Sequence, residues 1–225
     1  MDLQIDPDHL KVLPHHQYIT SDAIAPSTVA PSPIDQFRTW FEEAVEGGKV
    51  QEPEAMSLST STPEGIPSSR MVLFKELDHR GFVFFTNYTS RKSQEILANP
   101  HAALVFYWRE VHRSVRVVGR VEKFSQEESA EYFHSRPVGS QLGAWASKQS
   151  SVVKDGEVHE RLKRLEQKFG QDVPLPEFWG GWRVVPNEVE FWIGKPSRLH
   201  DRVRYLRVPA STDDNPEWKI ERLAP

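Results

Sequence analysis

The chain has 225 residues, 38% hydrophobic and 27% charged, with a net charge of −4 and no cysteine. That is one ordinary domain, or a domain with an arm, with enough apolar material for a core and too little net charge for disorder. Disulfides, thiolate catalysis and zinc-finger chemistry are excluded, and the mild acidity argues against nucleic acid as the main partner.

No apolar run approaches the roughly 18 residues of a membrane span, and no secretory signal is visible, so no membrane partner and a cytoplasmic location are expected. Residues 1–33 are punctuated by Pro, Ser and His without a period and predict a flexible arm, mobile or laid over another surface. The domain is expected over 34–225. Ser32 can cap a helix that opens on Pro33, and Phe37, Trp40, Phe41, Ala44 and Val45 give it one apolar face. Strands are predicted at 55–61, 68–77 and 82–86, then a helix from about Ser90 to Ala98. An antiparallel pair is expected at 102–108 and 114–124. Ser125-Gln126-Glu127-Glu128 reads as a capping box opening a helix that ends at Pro137. A short helix at 140–147 and a longer one at 156–169 follow. Two strand runs, 182–185 and 189–193, flank an expected Pro186-Asn187 turn. Strands at 203–208 and 218–223 close the chain. About eight meander-connected strands with inserted helices predict an α+β fold, an antiparallel barrel with helices packed outside.

Five constellations could carry chemistry. Arg70 and Lys75 punctuate the strand at 69–75, on opposite faces of an ideal pleat. Ser90-Arg91-Lys92 places cations at a helix N-terminus, where they oppose the dipole; this suits a phosphate site better than a plain cap. Tyr132, Arg136 and Ser140 surround the break at Pro137 and could cradle a second phosphate, or simply cap helix ends. Residues 145–151 are polar and aromatic and read only as loop. Arg198, His200 and Arg202 alternate beside Trp192 in a strand-loop-strand junction. No GxSxG, HExxH, P-loop or strand-borne GxGxxG is present, so hydrolase, metal and nucleoside-triphosphate chemistry lack support. The residues themselves reach a phosphorylated planar cofactor with a phosphorylated substrate and stop there.

Several of these segments together resemble the pyridoxamine 5′-phosphate oxidase family. They are Ser-Arg-Met-Val-Leu-Phe-Lys at 69–75, Thr-Ser-Arg-Lys at 89–92, Tyr-Phe-His-Ser-Arg-Pro at 132–137, Gly-Ala-Trp-Ala-Ser-Lys-Gln-Ser-Ser at 143–151, Arg-Leu-His-Asp-Arg at 198–202 and Glu-Arg-Leu-Ala-Pro at 221–225. The segment 74–82 resembles fungal members. The resemblance implies an FMN-binding split-barrel homodimer that oxidises pyridoxamine 5′-phosphate and pyridoxine 5′-phosphate with O2. It implies flavin contacts at Arg70, Met71, Val72, Leu73, Phe74, Lys75, Phe85, Thr86, Arg91, Lys92, Ser114, Gln149, Ser150, Trp192 and Arg202. Substrate contacts are implied at Lys75, Tyr132, Arg136, Ser140, Arg198 and His200, with Arg198 and His200 in the catalytic role over the pyridine ring. Ser114 and Ile193 stand where members usually carry Gln. They motivate an alternative, a split-barrel protein that holds FMN or pyridoxal phosphate with little or no turnover. The basic segment by which members cover the substrate has no clear counterpart, and Tyr18 is a loose candidate.

Overall fold

The computed structural model describes residues 3–6, 9–12 and 17–225. Leu3–Asp6 (β1) and His9–Val12 (β2) form an antiparallel hairpin. Helix α1 (Pro33–Glu46) starts as the sequence dictates: the Ser32 hydroxyl accepts from the Ile34 N–H, and Asp35 complements the dipole. Its Phe37, Trp40 and Ala44 are buried, whereas Val45 faces solvent.

The remaining strands are β3 (Ala55–Ser61), β4 (Pro67–Leu73), β5 (Glu76–Leu77), β6 (Phe82–Asn87), β7 (His101–Trp108), β8 (Arg113–Lys123), β9 (Trp179–Ile193), β10 (Asp201–Arg207) and β11 (Trp218–Arg222). All nine join one antiparallel sheet, the split barrel expected. Helix α2 (Arg91–Ala98) links β6 to β7. Helices α3 (Gln126–Ser135), α4 (Val138–Ala146) and α5 (Glu157–Phe169) fill the long β8–β9 connection. The capping box at Ser125 and Glu128 is formed.

β9 organises the barrel. One edge pairs with β8 from Trp182 to Ile193; the other pairs first with β6 and then with β10. Here one expectation fails. Pro186-Asn187 is not a turn between two strands but lies inside a single 15-residue strand. The ladder with β8 shifts between Val118 and Gly119, opposite Pro186. A proline cannot donate to the ladder, and a bulge absorbs it without ending the strand. Gly119 is needed there because a Cβ would run into the Val185 carbonyl.

Phe37 anchors the main core, its ring 4.8 Å from Phe82 and 4.9 Å from Phe106, with Phe74 and Trp108 around it. Burying such a ring stabilises by about 2–3 kcal/mol. A second cluster, Phe133, Leu142, Val173 and Trp179, packs beneath α3, α4 and α5. Residues 17–32 of the expected arm lie on the barrel. Ile24 is buried, its N–H reaches Asp201 and its carbonyl accepts from Arg222. Asp22 pairs with Arg113 at 2.8 Å, and Tyr205 donates to the Ala30 carbonyl at 2.6 Å. Contact with the barrel therefore begins well before the boundary at 33, and part of the arm lies outside the described residues. Among the described residues no helix is long and apolar enough to cross a membrane.

Candidate active site

A cavity of about 380 Å³ opens between the end of β6 and the α3–α4 break. β6 delivers Phe85, Thr86 and Asn87 to it. Pro137 stops α3, and the chain restarts as α4 one residue later. Tyr132, Arg136 and Ser140 thereby stand around one opening. Phe85 and Tyr132 stack at 4.0 Å, and the Arg136 guanidinium lies 4.9 Å over the Trp179 ring. Arg136 Nη1 is buried with no hydrogen-bond partner among the described residues. Burial pulls its pKa below the ordinary arginine value. A guanidinium in that condition is a donor awaiting an anion.

The α2 N-terminus stands on the same side. Ser90 makes no side-chain cap bond. The Arg91 N–H donates to Ser150 Oγ at 3.2 Å, and Ser150 holds a left-handed backbone, φ 72, to present it. Lys92 is buried, with Nζ 2.9 Å from Gln149 Oε1 and 3.2 Å from Thr86 Oγ1. Burial, with Arg70 nearby, lowers its pKa to about 8. Arg70 turns inward from β4 to Thr60 Oγ1 at 2.6 Å and to Glu95 at 3.5 Å. Arg91 Nε reaches the same carboxylate at 2.9 Å.

The rest of the 70–75 segment divides by face. Met71 and Leu73 point outward, Met71 being 66% exposed. Val72 packs against the core and the Phe74 ring is inside it, next to Phe37. Only the backbones of these two are free to meet a ligand. Lys75 is exposed, and its N–H bonds to the Val83 carbonyl. β4 ends at Leu73, so Arg70 and Lys75 do not share one regular strand.

A second cavity, about 340 Å³, is lined by Val105, Tyr107, Ser114, Arg116, Glu190, Trp192 and Arg202. It shares no lining residue with the first. Glu190 is buried between Arg116 at 2.9 Å and Arg202 at 2.7 Å. Beside it the 196–198 turn is strained: Ser197 and Arg198 both hold left-handed backbones, φ 57 and φ 61. Each such residue costs roughly 1–2 kcal/mol, and strain of this kind gathers at functional sites. Arg198 is exposed. His200 Nδ1 accepts from the Lys195 N–H at 3.0 Å, and its ring lies 4.8 Å from Trp192. Burial, then Arg198 and Arg202, lower its pKa and favour the neutral ring, and with Nδ1 accepting, that ring carries its proton on Nε2. Tyr18 lies across Trp192 and His200 at 5.4 and 5.7 Å. It fits because residue 194 is glycine; a Cβ there would come within 2.6 Å of the Tyr18 ring. Ile193 is 1% exposed and belongs to the core, facing neither cavity.

The structure thus brings Phe85, Thr86, Tyr132, Arg136, Ser140 and Gln149 to one cavity, and Ser114, Trp192 and Arg202 to the other. The site residues suggested by the sequence do not include Trp179, Tyr107, Arg116, Glu190 and Glu95, and Asn87 entered only as part of the segment leading into the α2 cations. Strand alternation held the signal for two of them. Arg116 is two residues beyond Ser114, and Glu190 two before Trp192, so each pair shares a face. Glu95 is one helical turn beyond Arg91. Tyr107 is half exposed, and burial together with the Tyr18 hydroxyl pushes its phenol up to about 12.

Residues 41–168 match the family described as pyridoxamine 5′-phosphate oxidase. Residues 179–225 match the pyridoxine 5′-phosphate oxidase C-terminal dimerisation region. A pyridoxine/pyridoxamine 5′-phosphate oxidase of Trichormus variabilis is 51% identical over 208 residues, 92% of this chain and 94% of the relative. One of Burkholderia mallei is 54% identical over 198 residues, 88% and 91% of the two chains. These relatives are bacterial, and the fungal affinity expected from 74–82 finds no support among them. Among solved structures, PhzG from Burkholderia lata, in complex with tetrahydrophenazine-1-carboxylic acid, aligns with TM-score 0.82 and 31% identity over 89% of this chain and 96% of that one. A pyridoxamine 5′-phosphate oxidase-related, FMN binding protein from Nostoc punctiforme shares the fold, with TM-score 0.69 and 16% identity over 86% of this chain and 98% of that one. With both halves of the sheet matched and half of its residues shared with such relatives, the chain belongs to the pyridoxamine 5′-phosphate oxidase family.

Proposed function

We propose that the protein is a homodimeric, FMN-dependent oxidase that converts pyridoxamine 5′-phosphate and pyridoxine 5′-phosphate to pyridoxal 5′-phosphate. The observation that carries this is Arg136: a buried, unpartnered guanidinium at a cavity walled by Tyr132, Trp179 and Phe85. That donor set suits a phosphate on a flat aromatic substrate. The second cation cluster, at the α2 N-terminus, suits the phosphate of a cofactor. Two anion sites and two aromatic walls therefore fit FMN together with a phosphorylated pyridine.

In this reading Arg70, Arg91 and Lys92 hold the cofactor phosphate, with Ser150 and Gln149 fixing the loop beside it. Thr86, Phe85 and the backbone of Met71, Val72, Leu73, Phe74 and Lys75 line the flavin. Ser114, Trp192 and Arg202 form the half-site that a partner subunit supplies, which is why the two cavities remain separate in one chain. Lys75, Tyr132, Arg136 and Ser140 take the substrate phosphate and so fix the ring before any bond changes. FMN, when bound, would supply the two-electron acceptor: the substrate 4′ carbon gives up a hydride and its attached nitrogen or oxygen a proton, O2 takes the electrons and protons as hydrogen peroxide, and water releases ammonia from the oxidised amine. Arg198 and His200 orient the pyridine ring, His200 as an Nε2–H donor. Tyr18 keeps water from their far side. A cytoplasmic location, expected from the cysteine-free composition, is part of the same proposal.

The alternative, binding without turnover, loses one of its two motives. Ile193 is core, away from both cavities. Ser114 does line the second cavity, with Arg116 beside it to offer donors an amide would have provided. The test is reconstitution with FMN followed by pyridoxamine 5′-phosphate in air. A yellow protein that makes aldehyde and peroxide in equal amounts is expected. A colourless protein that FMN cannot reconstitute contradicts the oxidase, and a yellow protein without product favours the binding role.

A further inference from the structure

Glu95 stands out among the groups the proposed reaction does not use. It is 6% exposed, on the α2 face turned toward β3 and β4. Its Oε2 accepts from Thr60 Oγ1, from Ser68 Oγ at 2.6 Å and from Arg70 Nη2 at 3.5 Å; its Oε1 accepts from Arg91 Nε at 2.9 Å. One carboxylate thus ties together β3, β4 and α2 and holds both guanidiniums of the cation cluster. Burial would raise its pKa, but the Ser68 and Thr60 hydroxyls and Arg91 outweigh that and hold it down at about 2. It is a permanent charge.

Two consequences follow. The first is geometric. Arg70 is otherwise tied only to Thr60, Ser68 and the Leu58 carbonyl, and Arg91 has 60% of its side chain in solvent. Without Glu95, Arg91 has no ion-pair partner among the described residues, and Arg70 keeps neutral contacts only. The second concerns charge. Arg70, Arg91 and Lys92 carry three positive charges and Glu95 one negative, a net of plus two (3 − 1 = 2). A phosphomonoester carries about −1.5 to −2 near neutral pH. The cluster is balanced for a monoester dianion.

We propose that Glu95 is a positioning residue that orients Arg70 and Arg91 and sets the charge of the α2 site to match a phosphomonoester dianion. The proposal rests on the reading of this cluster as the cofactor-phosphate site. It has a counter-intuitive sign. Glu95→Gln makes the site more positive, which by charge alone would tighten an anion; loss of positioning would weaken it.

The test measures FMN and riboflavin affinities by flavin fluorescence for wild type, Glu95→Gln, Arg70→Ala and the double variant. Expected is an FMN affinity about tenfold weaker in Glu95→Gln, with riboflavin changed less than about twofold, and a clearly smaller Glu95→Gln effect when Arg70 is already alanine. FMN binding that is unchanged or tighter in Glu95→Gln overturns the role of Glu95. So does an equal loss for FMN and riboflavin, which would mark a purely structural residue. A wild type that binds riboflavin as tightly as FMN overturns the phosphate-site reading itself. If Glu95→Gln folds poorly, Ser68→Ala removes one donor from the same carboxylate; a several-fold loss confined to FMN is expected, and no loss counts against the proposal.

Discussion

The two cavities are built on opposite plans. In the one between β6, α3 and α4, Thr86 and Gln149 of the lining are held by Lys92 from the neighbouring cation cluster. One donor, Arg136 Nη1, is left over. The cavity at Ser114, Trp192 and Arg202 has its buried Glu190 already paired with Arg116 and Arg202. It is lined from β7, β8, β9 and β10, the half-exposed Tyr107 included, and the strained 196–198 turn joins the last two of these strands. The first cavity keeps an unpartnered donor for an anion, and in the proposed function the second is the wall that a partner subunit closes over a planar ring. Glu190, Trp192 and Arg202 of that cavity fall in the region matched to a dimerisation module, and the rest of its lining comes from β7 and β8.

The largest effects should come from breaking each cavity separately. Arg136→Ala is expected to lower kcat/KM for the phosphorylated substrates by about 10²–10³ while leaving the fold intact, because it deletes a charge-assisted anchor and an unpaired buried charge together. Arg202→Ala is expected to lose flavin instead, read as the fraction of bound FMN after gel filtration. If each site combines the first cavity of one chain with the second of its partner, mixing the two variants under conditions that exchange subunits should restore activity. Half of the dimers would be mixed and each would carry one intact site, giving about a quarter of wild-type activity. No recovery despite exchange would mean that each chain builds its own site.

How far these regions were legible in the sequence follows the same division. The first cavity and the cation cluster beside it were readable because their residues announce themselves locally: Tyr132, Arg136 and Ser140 spaced across a proline, and cations in the first turn of α2. Local chemistry also placed most strands and the Ser125 capping box. What escaped depended on neighbours distant in sequence. Pro186-Asn187 has turn composition, yet Gly119 on β8 lets the strand run through it. Residue type alone marks neither Glu95 nor Glu190, and the fold buries each between two arginines. Residues 17–32 have no period because they pack as an irregular strap, held by Ile24 and Asp22 rather than by a repeating face. Ile193 looked like a departure at a cofactor position, and the fold places it in the core.

Arg198→Ala should have the next largest effect, about 10- to 100-fold on kcat with FMN retained, since in the proposed function this exposed residue orients the ring. Loss of flavin would instead join the turn to the cofactor wall. A smaller, graded effect is expected from pH. Lys92 titrates at about 8 without ligand, and a bound phosphate favours its charged form. FMN affinity should therefore be flat between about pH 6, where the phosphate becomes a dianion, and about pH 8, and fall by up to about tenfold per unit above that, measured by fluorescence titration. The sign for stability is opposite. The folded pKa lies below the unfolded one, so the unfolded chain binds more protons between the two values. Flavin-free protein should gain stability as pH rises from about 8 toward 10.4. Lys92→Met should abolish both trends. Smallest is Gly194→Ala, which pushes Tyr18 off Trp192. Thermal unfolding should shift by about 1 kcal/mol or less, with KM for substrate raised more than kcat is lowered.

The most direct test of the account is a single turnover without oxygen. FMN-loaded protein is mixed with excess pyridoxamine 5′-phosphate, and the long-wavelength flavin band is followed alongside aldehyde formation. The account predicts that the band bleaches with one aldehyde per flavin, and that air restores the colour with one peroxide. A band that persists with substrate bound, or bleaching that yields no aldehyde, would contradict it.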